Sequence, residues 1–351
     1  MKMCQAFAQN GHEVVLIVPD WIERREPGVL NAFDFYGVEK CFEIEYIPLY
    51  SIKGKGLLFG YQAARKALVF DPDLVYGRDV AACFFTSCLK QSIVFESHAP
   101  MNDFFYGSLL KQLLKSHYLK KLVVITYALK NYYINNYDII ADKIIVAPDG
   151  ADPLPNNVVP VNLPNKAKKL QVGYVGHLYP GKGMEIIREL TPRCHWADFH
   201  IIGGFESDIK YWKDKMDNLK NIYFHGYVPH SKTTQYLLAF NVVLLPNQKQ
   251  VSTYGREDIG EWTSPLKLFE YMAAGRAIIS SNVAVLQEVL DDGYNALLCD
   301  PDDVDSWERA LIYLCEDLNL QIRLGENARD DFTNKYSWYS RANRLIHIIS
   351  Q

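Results

Sequence analysis

The sequence has 351 residues, more than one hydrophobic core usually supports, so we expect two domains. Apolar residues make up 49% and charged residues 22% of the chain, a composition that is typical of folded domains and argues against disorder. The formal charge of −4 gives no long-range attraction for nucleic acid, so a polyanionic partner is not expected.

In the first half of the chain, short apolar runs alternate with segments long enough for helices. Residues 1–10 have helical character, and the apolar run 13–19 predicts the first strand. Continuous apolar strands that alternate with helices are typical of a parallel sheet covered on both faces, so we predict a doubly wound α/β domain. Further strands are predicted at 73–76, 92–96, 122–126 and 143–147.

A change of composition divides the chain. Residues 151–169 are rich in proline, asparagine and lysine, and their prolines exclude a regular helix. We therefore predict a first domain over 1–155, a linker over 156–169 and a second doubly wound domain from residue 170. Because ligands bind beyond the carboxyl ends of such strands, two domains of this kind are expected to face a central cleft. The strands of the second domain are predicted at 170–175, 199–203, 222–224, 242–246, 277–280 and 296–299.

A glycine-rich loop follows the first predicted strand of the second domain. It contains Gly176, Gly181, Lys182 and Gly183, and a helix is predicted to begin near Met184. Glycines let the backbone approach a phosphate, a helix N-terminus presents unpaired N–H groups, and a lysine adds positive charge, so the loop predicts a phosphate site. An NTPase is disfavoured, because Gly183 stands where the Ser or Thr of a P-loop would hold Mg²⁺. A tight glycine turn with a solvated lysine is the alternative.

A second motif covers residues 261–275. Ser264 is a good N-cap for a helix over 265–274, whose first residue is a proline. Glu270 lies well inside this helix, where a carboxylate gains nothing from the helix dipole. Two hydrogen bonds from vicinal ribose hydroxyls would account for it. Without other information, Glu270 is a surface glutamate and Lys267 a solvated helix lysine.

The order and spacing of these motifs resemble glycosyltransferase family 4, whose members are retaining enzymes of the GT-B fold. The likeness is densest in the loop 176–183, in the segment 264–281 (SPLKLFEYMAAGRAIISS) and at 292–298, and it continues at 10–14, 95–98 and 147–152. It implies two Rossmann-like domains, with the acceptor on the N-terminal one and a nucleotide sugar on the C-terminal one, which would end at residue 335. Residues 336–351 would form a helix that crosses back to the N-terminal domain.

The resemblance also implies roles for single residues. Lys182 would bind the donor diphosphate, Glu270 the nucleotide ribose, and His98 would approach the transferred sugar. Backbone amides near the start of the second helix would cap the distal phosphate. The donor would be a UDP- or GDP-sugar, and no prosthetic group is expected. The donor site would comprise Gly176, His177, Gly181, Lys182, Ser264, Pro265, Leu266, Lys267 and Glu270.

Three features depart from the family pattern. His177 stands where many members carry an arginine on the diphosphate, so one fixed positive charge is lost unless the imidazole is protonated. The first carboxylate of the family's glutamate pair would fall at Trp262, which leaves Glu261 and Glu257 as candidates, with Glu261 taken as the catalytic one. The strand and glycine-rich loop that normally precede the first helix are missing from the sequence. A start site placed too late is the favoured explanation, and a genuine truncation and an inactive remnant are the others.

The chemistry of the transfer sets the expected mechanism. Cleavage of the sugar–phosphate bond puts negative charge on the departing diphosphate, which Lys182 and helix N-termini would stabilise without a metal. The sequence Asp71-Pro72-Asp73 precedes a strand and is interpreted as a turn, so no metal site is expected. We therefore expect metal-independent transfer with retention of the anomeric configuration.

The acceptor is expected to be a glycan or a lipid-linked glycan. A cluster of lysines and tyrosines in the N-terminal domain could bind anionic headgroups, although a solvated helix face is the commoner meaning of such a pattern. The seven scattered cysteines are interpreted as buried thiols, and the chain is expected in the cytoplasm, with peripheral contact to the inner face of the membrane left open. A same-fold nucleotide-sugar epimerase and a non-catalytic nucleotide-sugar-binding protein are the alternatives. The cluster of lysines and tyrosines that could bind anionic headgroups comprises Lys111, Lys115, Tyr118, Lys120, Lys121, Lys130, Tyr132 and Tyr133.

Overall fold

The computed structural model divides the chain into two compact units. The first unit contains Met1–Pro148 together with Trp338–Gln351, and the second contains Asp149–Ser337. The structure describes residues 1–20, 31–49, 52–101, 103–165, 168–250, 260–262 and 264–351, with the side chains of residues 230 and 231 excepted.

The first unit is built from parallel strands that alternate with helices. Its strands are β1 (Val15–Asp20), β2 (Glu43–Pro48), β3 (Val75–Gly77), β4 (Ile93–Ser97), β5 (Leu119–Val124) and β6 (Ile144–Val146). Within the described residues they form two separate parallel sheets, one of β1 and β2 and one in the order β3-β4-β5-β6. The apolar strand β1 is therefore paired along one edge only in this part of the chain.

Helices connect these strands, and several begin at a side-chain cap. Asp79, Asp103 and Thr126 each accept a hydrogen bond from a backbone amide in the first turn of the helix that follows. The C-terminal helix also belongs to this unit, where its Leu345 is fully buried. The helices are α1 (Lys2–Gln9), α2 (Ala32–Tyr36), α3 (Lys55–Val69), α4 (Val80–Cys88), α5 (Phe104–Lys115), α6 (Tyr127–Asn136) and, at the end of the chain, α14 (Trp338–Ile349).

The second unit contains one parallel six-stranded sheet. Its strands are β7 (Leu170–Val175), β8 (Ala197–Ile202), β9 (Ile222–Gly226), β10 (Val242–Leu245), β11 (Ala277–Ser281) and β12 (Leu297–Cys299). They lie in the order β12-β11-β10-β7-β8-β9, which is the Rossmann order when the strands are counted within the unit. The strand order reverses between β7 and β10, and ligands of doubly wound sheets bind beyond the carboxyl ends of the strands at this point.

Helices cover both faces of this sheet. One core gathers around Val172 and Trp307, and the other gathers around Val243 and Phe269. Each face is covered by buried apolar side chains, as expected for a parallel sheet with helices on both sides. The helices are α7 (Met184–Arg193), α8 (Glu206–Lys215), α9 (His230–Leu237), α10 (Leu266–Ala273), α11 (Ala284–Gln287), α12 (Val304–Glu316) and α13 (Leu318–Asp331).

The prediction of doubly wound α/β units with parallel sheets is confirmed. The predicted strands are present, with ends that differ by a few residues, and β2 was not predicted. Residues 149–165, most of them in the predicted linker region, pack with the second unit, where Leu163 is buried. The prediction that the cysteines are buried is wrong for Cys41, Cys88 and Cys315, which are exposed.

Candidate functional site

The glycine-rich loop lies at the point where the strand order of the second unit reverses. It leaves the carboxyl end of β7, and the amide of Gln248, just after β10, donates a hydrogen bond to the Gly181 carbonyl oxygen at 2.9 Å. Gly183 has a φ of +85°, and a Cβ at this position would overlap the carbonyl oxygen of Pro246. This close approach fixes the position of the start of α7, which begins at Met184 as predicted.

Helix α10 begins at the same end of the sheet, and Tyr271 fixes it there. The buried hydroxyl of Tyr271 accepts a hydrogen bond from the Val175 amide at 2.8 Å, at the last residue of β7. In the first turn of α10, the Leu268 amide donates a hydrogen bond to the Pro265 carbonyl oxygen at 2.9 Å, and the amides of Leu266 and Lys267 have no acceptor within the helix. Two helix N-termini, those of α7 and α10, therefore border the loop, which is the arrangement of an anion site.

Lysine side chains from the loop and from α10 converge at this site. The Nζ atom of Lys267 lies 4.2 Å from the centroid of the Tyr174 ring and 3.6 Å from the position of a Cβ on Gly176. This nitrogen is shielded from solvent, and no hydrogen bond reaches it from the residues that the structure describes. The Nζ atom of Lys182 lies 5.4 Å from the centroid of the Tyr179 ring.

Burial and mutual repulsion lower the pKa values of these groups. Burial lowers the pKa of Lys182, and burial followed by the charge of Lys182 lowers the pKa of Lys267 well below its usual value. The pKa of His177 is also lowered, first by burial and then by Lys182. Because an imidazole with a lowered pKa is neutral at pH 7, His177 does not replace the charge of an arginine in the free protein. Its ring stacks between Tyr179 and Phe205.

The structure changes the prediction for Ser264. Helix α10 begins at Leu266, one residue later than predicted, and its N-cap is Pro265, which forms no side-chain cap. The Ser264 hydroxyl instead accepts a hydrogen bond from the Asp149 amide at 3.2 Å, so Ser264 is not the N-cap. The reason is tertiary: the hydroxyl satisfies a buried amide of another segment.

The two acidic candidates of this unit lie in different surroundings. Glu270 is partly buried, one turn after Leu266 on α10, and Glu261 is exposed in the turn 260–262. The second candidate for the catalytic carboxylate, Glu257, lies outside the described residues.

His98 belongs to the first unit, directly after β4. Its Nε2 atom is hydrogen-bonded to Glu96, which is almost fully buried and also accepts a hydrogen bond from Tyr76. Arg341 of α14 donates to the same carboxylate with two nitrogens, each at 3.2 Å. Burial acts to raise the pKa of Glu96, but Arg341, then His98 and Tyr76, outweigh it and hold the pKa at about 2. The carboxylate is therefore ionised, and the proton of a neutral His98 ring is held on Nε2.

The predicted basic and aromatic cluster of the first unit is only partly a surface. Tyr133 is fully buried and donates a hydrogen bond to the Ser97 hydroxyl at 2.8 Å, so its assignment to a surface is wrong. Lys111 and Lys115 are exposed on α5, and Lys115 pairs with Asp138.

Four residues that organise these sites were not predicted from the sequence: Tyr174, Tyr271, Glu96 and Arg341. Tyr271 lies within a motif that the sequence already indicated. For Glu96 the sequence offered a signal, because an acidic residue on an apolar strand, two residues before His98, indicates a buried acid. Nothing in the local sequence marks Arg341, because its partners are more than 190 residues away.

Comparisons with known proteins agree with this arrangement. A model described as Glycosyltransferase Family 4 matches residues 1–153, and a model described as Glycosyl transferases group 1 matches residues 169–317. The chain belongs to the family 4 glycosyltransferases. An uncharacterised glycosyltransferase of Methanocaldococcus jannaschii is 28% identical over 248 residues, which are 67% of this family 4 chain and 59% of that protein. A D-inositol 3-phosphate glycosyltransferase of Corynebacterium kroppenstedtii is 35% identical over 79 residues, which are 22% of this chain and 17% of that protein. The matches thus span less than two thirds of these relatives.

Solved structures share the fold of this family 4 chain, the GT-B fold with two Rossmann-like domains. Anabaena HepE in complex with UDP and glucose has a TM-score of 0.70 at 14% identity and covers 100% of this chain and 95% of its own. Sucrose-phosphate synthase from Thermosynechococcus elongatus has a TM-score of 0.70 at 18% identity, with coverages of 100% and 91%. None of the described helices is both long enough and apolar enough to cross a bilayer.

Proposed function

We propose that this chain transfers a sugar from a nucleoside-diphosphate sugar to a glycan or lipid-linked acceptor, with retention of the anomeric configuration and without a metal. The observation that supports the proposal most directly is the convergence of Lys182, Lys267 and the N-termini of α7 and α10 at the strand-order reversal. A departing diphosphate would meet amine groups and the positive ends of two helix dipoles there, and such preorganised groups stabilise charge that develops in a transition state.

Each residue of the proposed site has a distinct role. The loop residues Gly176 and Gly181 admit the diphosphate close to the backbone, and Lys182 pairs with it. On α10, the amides of Leu266 and Lys267 bind the distal phosphate and Glu270 accepts hydrogen bonds from the ribose. In the first unit, His98 approaches the transferred sugar. Glu261 is proposed as the carboxylate near the sugar, and His177 and Ser264 complete the lining of the donor site together with Pro265.

The donor is proposed to be a UDP-sugar, with a GDP-sugar as the alternative. Two similar structures are complexes with UDP: HepE with UDP and glucose, and a TarM mutant with UDP and an α-GlcNAc-glycerol. For the acceptor, Phe104 and Phe105 lie exposed at the start of α5, the helix that carries Lys111 and Lys115, and this combination supports peripheral contact with an anionic membrane. Flotation with anionic liposomes tests the proposed membrane contact, and failure of the protein to float with the liposomes would contradict it.

A thermal-shift screen against UDP-, GDP- and ADP-sugars tests the donor site. We expect one nucleotide class to raise the unfolding temperature, and Lys182→Glu to abolish the shift, because it places a negative charge against the diphosphate. Lys249→Glu is the matched control: Lys249 is exposed and pairs with Asp302, so its reversal should leave the shift in place.

Turnover with a labelled donor tests the reaction itself. We expect transfer that survives EDTA and a product with the anomeric configuration of the donor, read by NMR. Complete loss of turnover on chelation would contradict the metal-free mechanism. Binding without transfer to any acceptor would favour a non-catalytic nucleotide-sugar-binding protein, and release of an isomerised donor would favour an epimerase.

A further inference from the structure

The amine of Lys267 is a buried polar group beside the proposed phosphate site, and it has no hydrogen-bond partner among the residues that the structure describes. Its nitrogen has no solvent-exposed surface and no hydrogen bond within the described residues, and it lies over the face of the Tyr174 ring. An unpaired polar group in such a place is costly in the free protein. A structure that retains one beside two helix N-termini is arranged to pair it with a ligand that carries negative charge.

The groups around Lys267 do not offset the cost of a buried positive charge on its amine. Lys182 and His177 approach from the loop after β7, and both would add positive charge; Glu270, on α10 itself, is the opposing acid. Desolvation, the largest influence, lowers the pKa of Lys267 well below its usual value, and Lys182 lowers it further. The Tyr174 ring attracts a cation, but such a contact is weaker than the desolvation of a fully buried ammonium.

We propose that Lys267 is the second cation of the diphosphate site and that it acquires its charge on binding: the amine is neutral in the free protein and takes up one proton when a nucleoside diphosphate enters. This inference rests on the proposed function. The proton comes from solvent and adds to the lone pair of Nζ, and no bond of the ligand is broken. The bound diphosphate then supplies the negative charge that the free site lacks.

The arrangement accounts for the missing arginine. His177 stands at the arginine position, and its own lowered pKa keeps it neutral at pH 7. Lys267 would provide the lost charge from the other side of the loop, across Gly176. Because the complex holds one proton more than the free protein, affinity should fall as pH rises, by up to about tenfold per pH unit between the free and bound pKa values of Lys267.

Calorimetric titration with UDP and with GDP, in phosphate-free buffers of low and high ionisation enthalpy, measures the protons taken up. At about pH 8 the terminal phosphate of either ligand is already ionised, since its second pKa is about 6, so ligand titration does not obscure the result. We expect uptake that approaches one proton per nucleotide bound in the wild-type protein.

Variants assign the proton. Lys182→Arg keeps a permanent charge and His177→Asn removes the imidazole, and both should retain the uptake. Lys267→Met should bind more weakly, take up almost no proton, and unfold at an equal or higher temperature, because it replaces an unpaired amine by an apolar chain over Tyr174. Lys215→Met is the matched control: the Nζ atom of Lys215 lies 4.5 Å from the centroid of the Tyr211 ring, but Lys215 is exposed, so its replacement should leave nucleotide affinity and proton uptake unchanged.

The possible results separate the two proposals. Binding without proton uptake, or uptake that persists in Lys267→Met, overturns the role of Lys267 and leaves the donor site standing. Failure of both nucleotides to bind overturns the proposed function and this inference with it.

Discussion

At the scale of single residues, neighbours decide the protonation state of each candidate group. Burial around Nζ lowers the pKa of Lys267 well below its usual value, whereas the pKa of the buried Glu96 is held at about 2 because Arg341, His98 and Tyr76 donate to it. Pairing rather than burial therefore determines which groups carry charge. For His98 the consequence is a fixed tautomer, since an ionised Glu96 accepts the hydrogen on Nε2.

Replacing Glu96 by Gln tests that tautomer. The amide can accept from or donate to the imidazole, so the proton of His98 is no longer confined to Nε2. We expect the transfer rate to fall by at least about tenfold with a small change in the KM for the donor, since a misplaced imidazole proton affects chemistry more than binding. Nitrogen NMR of the His98 ring should show one tautomer in the wild-type protein and a mixture in the variant.

Tyr76→Phe is the control for this prediction. It removes a different donor to Glu96 and keeps both the carboxylate and its bond to His98. It should therefore leave the tautomer unchanged. An unchanged ring spectrum in Glu96→Gln would show that Glu96 does not position His98.

At the scale of elements, the phosphate site depends on where two helices begin. Helix α10 is held by the Tyr271 hydroxyl at the end of β7, and α7 begins where the Gly183 backbone meets Pro246. The Tyr271 hydrogen bond and the close approach of Gly183 to Pro246 both bring backbone amide groups to the same loop. The site is thus a product of close backbone packing as much as of its lysines.

Substitution of Gly183 by Ala tests whether the close contact with Pro246 positions the start of α7. Gly183 has a φ of +85°, where an alanine costs about 1–2 kcal/mol, and its Cβ would also meet the Pro246 carbonyl. We expect a loss of more than about 3 kcal/mol in unfolding free energy and loss of the nucleotide-induced thermal shift. Chemical denaturation and the donor screen measure the two effects.

Gly293→Ala separates backbone strain from the clash. Gly293 has a φ of +73°, and no atom lies within 4 Å of an added Cβ. This variant should lose only about 1–2 kcal/mol and retain nucleotide binding. Equal losses in the two variants would mean that the contact with Pro246 does not hold the loop.

The sequence predicted most of these elements, because apolar runs bounded by glycine or proline identify buried parallel strands directly. Strand β7 has the predicted bounds, and α7 begins at Met184. Strand β2 was missed because charged residues interrupt its apolar positions, and the Ser264 cap was wrong because a distant amide competes for the hydroxyl. The role of Tyr271 depends on a contact 96 residues away, which no local pattern contains.

At the scale of the whole molecule, the two ends of the chain belong to the same unit. The family models match residues 1–153 and 169–317, yet α14 lies beyond both and contributes Arg341 to the core of the first unit. Arg341 is almost fully buried, donates to the carbonyl oxygens of Pro148 and Ala147, and pairs with Glu96. The last helix is thus part of the fold of the first unit.

Replacing Arg341 by Met should selectively destabilise the first unit. The variant leaves Glu96 buried without its main partner, and breaking such a pair costs about 3–5 kcal/mol. We expect the calorimetric transition of the first unit to fall by roughly 10 °C and that of the second unit to stay in place. Arg188→Met, which removes an exposed pair with Glu189 in the second unit, should shift either transition by little, since such pairs contribute less than about 1 kcal/mol.

The pH dependence of the same transition provides a second test of this ion pair. The pKa of Glu96 lies at about 2 in the folded protein and near 4.5 when unfolded, so the unfolded state binds more protons between these values. The stability that Glu96 contributes should be complete above about pH 4.5 and should be lost as pH falls towards 2. In Arg341→Met the carboxyl loses the charge that lowers its pKa, so this part of the acid destabilisation should disappear. If it persists in the variant, other carboxylates cause the acid sensitivity, and the Arg341–Glu96 pair does not join the end of the chain to the first unit.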